Sequence, residues 1–165
     1  MPRVYLSLGS NVDREINIRN ALKGLKNRFG ELMVSPVYEC PAVGFSGDDF
    51  YNLVVGFDSE LAVGEIAVIL RKLEDDNGRI RGADKFAPRT LDIDLLTYGD
   101  TVGTVDAIEL PRDEILKYAF VLKPLADVAA EEKHPLTGNT YKEHWQLMSH
   151  AQNDLFQIDF VTESL

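Results

Sequence analysis

Two segments with a helical apolar period, each set between segments with an alternating one, limit the choice of fold for this chain more than any other feature. Ile18, Ala21, Leu22, Leu25 and Phe29 form one stripe, and Ile66, Ile69, Leu70 and Leu73 form a second. The first predicts a helix over 13–29, closed by Gly30 where a left-handed cap is wanted. The second predicts a helix opened by Ser59 or Glu60 and closed by Gly78. Alternation at Val4, Leu6 and Leu8 predicts a strand over 3–8, followed by Gly9-Ser10-Asn11 as a turn. Further strands are expected over 32–38, with Pro36 marking an edge or bulge, over 50–58, and from Thr90 onward.

The order β-α-β-β-α-β is that of a ferredoxin-like α+β core: an antiparallel sheet with both helices on one face. Additional C-terminal helices and strands are expected after it. They comprise a brief strand at 108–110, a helix near 120–129, a short helix containing Trp145 and an alternating stretch over 156–161 that could be a sheet edge, a dimer contact or a tail. At 165 residues and 45% apolar composition, the chain suits a single domain over 1–165.

The strand beginning at Thr90 carries the chemistry. Leu91, Ile93 and Leu95 share one face, so Asp92 and Asp94 leave by the other. Same-face neighbours lie roughly 6–7 Å apart, where two ionised aspartates repel by about 2 kcal/mol at an intermediate dielectric. A hard divalent ion such as Mg²⁺ compensates such a pair and fills its other positions with water and substrate phosphates. A half-exposed strand whose aspartates merely face water gives the same pattern. Just upstream, Arg79, Arg81, Lys85 and Arg89 are opposed by a single carboxylate, Asp84, in a chain of net charge -10. Guanidinium forks and a mobile ammonium suit a polyphosphate; salt bridges to Glu74, Asp75 and Asp76 are the alternative.

The acidic balance argues against nucleic-acid binding, which needs a basic surface. Cys40 is the only cysteine, so no intramolecular disulfide is available. No stretch has the length of a signal-peptide core or a membrane span, and a cytoplasmic location without membrane partners is expected. The three histidines, His134, His144 and His150, lack ligand spacing and read as structural or surface residues.

The run Lys85-Phe86-Ala87-Pro88-Arg89-x-x-Asp92-Ile93-Asp94-Leu95-Leu96 resembles the signature of the 6-hydroxymethyl-7,8-dihydropterin pyrophosphokinase family, and the resemblance extends from Leu6-Ser7-Leu8-Gly9-Ser10-Asn11 to Pro124-Leu125. It implies an enzyme of folate biosynthesis that transfers pyrophosphate from ATP to the hydroxymethyl group of the pterin, releasing AMP. Asp92 and Asp94 would hold two Mg²⁺ ions. Arg81 and Arg89 would contact the triphosphate and act with the aspartates in catalysis. The ATP site would also take in Glu74, Arg79, Lys85, Phe86 and Arg112. Phe50 and Phe120 would stack on the pterin, Asn52 would pair with its edge, and backbone groups at Cys40 and Val43 would complete that edge. The expected partners are ATP and a reduced pterin, with a monomer or weak dimer in solution.

Three positions depart from the family pattern. Pro111 is followed by Arg112 where a histidine is usual, Tyr118 stands where an arginine precedes the stacking phenylalanine, and Phe86 replaces a tryptophan. Arg112 can bind phosphate but cannot donate and accept as neutral imidazole does, and Tyr118 removes a permanent charge. These departures keep a second reading open: a diverged paralogue that binds pterin or nucleotide with little catalytic activity.

Overall fold

The computed structural model describes residues 1–41, 49–78, 91–148 and 155–160. In chain order the elements are β1 (Arg3–Ser10), α1 (Arg14–Phe29), β2 (Met33–Val34), β3 (Val37–Cys40), β4 (Phe50–Asp58), α2 (Val63–Asp76), β5 (Asp92–Tyr98), β6 (Gly103–Val105), β7 (Ile108–Leu110), a 3-10 turn (Asp113–Leu116), α3 (Ala119–Ala129), α4 (Tyr141–Met148) and β8 (Phe156–Ile158). The main sheet runs β5-β1-β4-β3-β8, with β2 also paired to β4, and its pairings are antiparallel. This is the expected ferredoxin-like core with β1 and β4 at its centre.

Side-chain alternation divides the sheet into two faces. Val4, Leu6 and Leu8 of β1, Leu53, Val55 and Phe57 of β4, and Ile93 and Leu95 of β5 point to one face. They form one apolar cluster with Ile18, Leu22 and Leu25 of α1 and Ile66 and Leu70 of α2. Each fully buried aliphatic side chain there contributes about 1.5–3 kcal/mol. Tyr5, Val54 and Leu96 lie on the other face, under Ile115 and Val121, Leu122 and Leu125 of α3. The C-terminal helices therefore cover one end of the second face. Two tyrosines fasten them: Tyr5 donates its hydroxyl hydrogen to Glu132, and Tyr38 donates to Asp127.

Tertiary pairing corrects two sequence expectations and adds detail to two others. Gly9 and Ser10 belong to β1 rather than to a turn, because they pair with Asn52 and Tyr51 of β4. The strand expected over 32–38 is split at Ser35-Pro36: Pro36 has no N–H to donate, and the Ser35 hydroxyl takes the Val54 N–H at 2.8 Å instead. The alternation of β5 holds through Leu95 and then breaks at a register shift opposite Tyr5 and Leu6, which buries Leu95, Leu96 and Thr97 in succession. The brief strand at 108–110 is half of a hairpin with β6. Its two turn residues, Asp106 and Ala107, have φ of 50° and 68°, as a two-residue hairpin turn of this twist requires.

The alternating C-terminal stretch is resolved as a sheet edge. Val37, Tyr38 and Glu39 of β3 pair with Ile158, Gln157 and Phe156 of β8. Among the described residues no helix is long and apolar enough to cross a membrane.

Candidate functional site

The site is built on one row of the sheet. Tyr38, Asn52, Gly9 and Asp92 are consecutive cross-strand partners on β3, β4, β1 and β5. One residue pair along β5, Asp94 partners Ser7. Strand spacing puts Asn52 and Asp92 roughly 10 Å apart across Gly9. A Cβ added at Gly9 would lie 2.9 Å from the Asn52 Oδ1 and 3.7 Å from the Phe50 ring, so the absence of a side chain keeps the floor between the two groups open. All of these positions lie on the face opposite α1 and α2.

At the Asn52 end the groups are neutral and enclosed. Asn52 is 6% exposed and its Nδ2 donates to the Cys40 sulfur at 2.8 Å, which fixes its amide between β3 and β4. Burial pushes the Cys40 thiol up to about 12, so it is a neutral acceptor rather than a thiolate. Phe50 is half-buried opposite Cys40. Phe120, in the first turn of α3, stacks on Tyr118, with ring centroids 4.9 Å apart and 20° between planes. Tyr118 thus supplies an aromatic face where the family pattern carries a charge.

At the Asp92 end the groups are charged. Asp92 and Asp94 are both partly buried on β5. Burial first, then the Asp92 charge, pushes the Asp94 carboxyl well above the usual carboxylate range, against the opposing pull of Arg112. Arg112 Nη2 donates to Asp94 Oδ1 at 3.1 Å, and its Nε lies 3.6 Å from Glu114 Oε1. Arg112 is held beside β5 by its own backbone, whose N–H donates to Leu96 O at 2.9 Å. The β6-β7 hairpin that leads to it is fixed in turn: Asp106 Oδ2 accepts the Gly64 N–H in the first turn of α2 at 2.9 Å.

Glu74 is not the helix-surface charge that its position near the end of α2 suggests. It is 7% exposed, and its Oε2 accepts the Ile93 N–H at 2.9 Å, satisfying a backbone donor on the outer side of β5. With Asp94, Asp106 and Arg112 it lines a groove of about 430 Å³ between α2, β5 and the hairpin.

The structure therefore brings together Asp92, Asp94, Glu74 and Arg112 at one end of the row and Cys40, Asn52 and Phe50 at the other. The expected contacts Arg79, Arg81, Lys85, Phe86 and Arg89, and Val43 on the pterin side, lie outside the described residues. Gly9, Asp106 and the Cys40 side chain were missed by sequence reasoning. A glycine inside an alternating strand signals close approach of another group and could have identified the first. The other two depend on contacts distant in sequence.

The donor set fits a hard divalent cation. Two carboxylates leave one strand face, and one has its charged form disfavoured by the other. Among the described residues no group of three or more His, Cys, Asp or Glu could hold a metal, and a Mg²⁺ completed by water and phosphate oxygens needs none.

Fold and site define a ferredoxin-like α+β protein with a paired-carboxylate row on the sheet face opposite its first two helices. Residues 5–130 match the family described as 7,8-dihydro-6-hydroxymethylpterin-pyrophosphokinase (HPPK). The chain belongs to this family.

Among its relatives are proteins named 2-amino-4-hydroxy-6-hydroxymethyldihydropteridine pyrophosphokinase. The one from Aquifex aeolicus is 34% identical over 87% of this chain and 90% of its own length. The one from Pseudomonas aeruginosa is 34% identical over 81% and 84%. The folic acid synthesis protein fol1 of Pneumocystis carinii is 32% identical over 82% of this chain, which spans 18% of that longer protein. The fold is shared with the crystal structure of wild-type Plasmodium falciparum HPPK-DHPS, at a TM-score of 0.73 and 13% identity over 95% of this chain and 48% of that one.

Proposed function

We propose that this protein transfers an intact pyrophosphoryl group from ATP to the hydroxymethyl group of 6-hydroxymethyl-7,8-dihydropterin as a single domain, in folate biosynthesis. The observation that carries the reading is the row Asn52-Gly9-Asp92, which sets a neutral, donor-and-acceptor end roughly 10 Å from a paired-carboxylate end. A flat bicycle with an amide-like edge matches Asn52 and the aromatic faces of Phe50 and Phe120. Its hydroxymethyl arm would then extend over Gly9 toward Asp92 and Asp94.

The hydroxymethyl oxygen attacks the β-phosphorus, the bond from that phosphorus to the α-phosphate oxygen breaks, AMP leaves and the hydroxyl proton passes to solvent. Asp92 and Asp94 would hold Mg²⁺, which supplies charge neutralisation at the phosphates. Arg112, with Arg81 and Arg89 from the expected phosphate-binding loop and further contacts from Arg79, Lys85 and Phe86, would grip the polyphosphate. Glu74 would bear on the nucleotide indirectly, by holding Ile93 and with it the neighbouring aspartates. Backbone groups at Cys40 and Val43 would complete recognition of the pterin edge. Most of the rate would come from positioning and fixed charge.

The pairing of Arg112 with Asp94 and the stacking of Tyr118 on Phe120 favour a second reading, a relative that binds pterin or nucleotide with little transfer. Incubation with ATP, Mg²⁺ and the pterin separates the two. Pterin-dependent AMP that disappears in Asp92→Asn is expected for the transferase. Ligand binding without AMP would establish the binding protein.

A further inference from the structure

Arg112 stands between two grooves and is incompletely satisfied where it stands. One groove, of about 430 Å³, is shared with Asp94 and Glu74. The other, of about 390 Å³, is lined by Glu109, Asp113 and Glu114. One hydrogen bond joins the guanidinium to Asp94, at 3.1 Å, and the Arg112 Nε is buried with no hydrogen-bond partner among the described residues. Guanidinium carries five donors, and a fork aimed at a carboxylate normally engages two of them. A buried donor without an acceptor costs free energy that a better-placed anion would recover.

The anchoring is equally specific. The Arg112 backbone is tied to Leu96 O at 2.9 Å, so its side chain can change partner by rotamer alone while the main chain stays beside β5. Glu114, 3.6 Å from the Nε, keeps the fork close to the site without closing a hydrogen bond.

We propose that Arg112 is a tethered counter-cation of Asp94, exchanged for metal when the polyphosphate arrives, so that metal and nucleotide bind cooperatively. This rests on the pyrophosphokinase reading. A cation alone competes with Arg112 for Asp94 and leaves the guanidinium only Glu114, 3.6 Å from its Nε and outside the geometry of a hydrogen bond. A metal-free polyphosphate must separate the same pair and leaves the carboxylate without its cation. Together they satisfy both: Asp94 receives the metal and Arg112 receives phosphate oxygens, including an acceptor for its Nε. The position thereby acts as a gate against partial occupancy. An imidazole, with two ring nitrogens and a charge that comes and goes near neutrality, would hold Asp94 less firmly.

The test measures half-occupied states, not turnover. Mn²⁺ alone is titrated by electron paramagnetic resonance into wild type, Arg112→Ala and Arg112→His, and ATP in excess EDTA is titrated calorimetrically into wild type, Asp94→Asn and Asp94→Asn/Arg112→Ala. Loss of the gate predicts Mn²⁺ affinity about fivefold higher in Arg112→Ala, with Arg112→His intermediate. It also predicts tighter metal-free ATP binding in Asp94→Asn, a gain that vanishes in the double variant because the freed guanidinium is its source. Unchanged or weaker Mn²⁺ binding in both Arg112 variants would overturn the proposal, as would an ATP gain that persists in the double variant. The AMP assay on wild type is scored separately, so failure of the transferase reading is distinguishable from failure of the gate.

Discussion

The two ends of the central row are built on opposite principles. At the Asn52 end the polar groups are neutral and already paired: the amide donates to Cys40, the thiol is kept protonated by burial, and both are nearly inaccessible. At the Asp92 end charge is concentrated: Asp94 is held above its usual range by burial and Asp92, and Arg112 leaves one buried donor unmatched among the described residues. Neutral groups already fixed by their own hydrogen bonds select by hydrogen-bond pattern with little rearrangement. A charged end of this kind is completed by its ligand, and interactions strengthened there during reaction raise the rate.

The largest expected effect falls on the charged end. Asp94→Asn should lower turnover by about 10²–10³-fold, the scale for loss of one electrostatic group at a reacting centre. It should not lower the melting temperature, because it relieves repulsion from Asp92; a destabilised Asp94→Asn would show that the carboxylate serves the fold. Next comes the neutral end: Asn52→Ala should reduce kcat/KM for the pterin about 10- to 100-fold, from the loss of paired hydrogen bonds. Direct titration should find nucleotide affinity unchanged in this variant. A matching loss for the nucleotide would mean that the two ends are not separable.

Gly9→Ala probes the junction. Its Cβ would stand 2.9 Å from the Asn52 Oδ1, so the amide must move. A raised pterin KM and a loss of about 1–2 kcal/mol in denaturant unfolding are expected, and wild-type behaviour would remove Gly9 from the site. The smallest effect lies away from the row. His134 accepts the Leu136 N–H at 3.2 Å on its Nδ1, beside His144 and Tyr141, and burial, with His144 nearby, holds its pKa below 6.5. The neutral ring therefore contributes stability above 6.5 that is lost as pH falls below it. Unfolding in urea across that range should show the decline in wild type and less of it in His134→Gln, while the pH dependence of pterin binding stays the same in both.

Much of the architecture was legible because it rests on local periodicity. The α1 and α2 stripes, the run of β4 and the two faces of β5 follow from which side chains must leave water, a property that neighbouring residues encode together. The same alternation put Asp92 and Asp94 on one face, and the resemblance carried by residues 85–96 supplied the family. The strand break at Ser35-Pro36 was only half legible. Proline marks a defect in a ladder, but the repair by the Ser35 hydroxyl depends on Val54, nineteen residues away.

The sequence by itself determined the order of elements, the paired carboxylates and the neutral and aromatic residues available for a pterin, since these depend on residue type and short-range spacing. Only the tertiary structure decided that Gly9 is the open floor between Asn52 and Asp92, that Glu74 is buried against Ile93, and that Arg112 is paired with Asp94. Each of these is a contact between distant segments. Such a contact is fixed by strand register and by the docking of the β6-β7 hairpin on α2, quantities set by the packing of the whole sheet rather than by any local pattern.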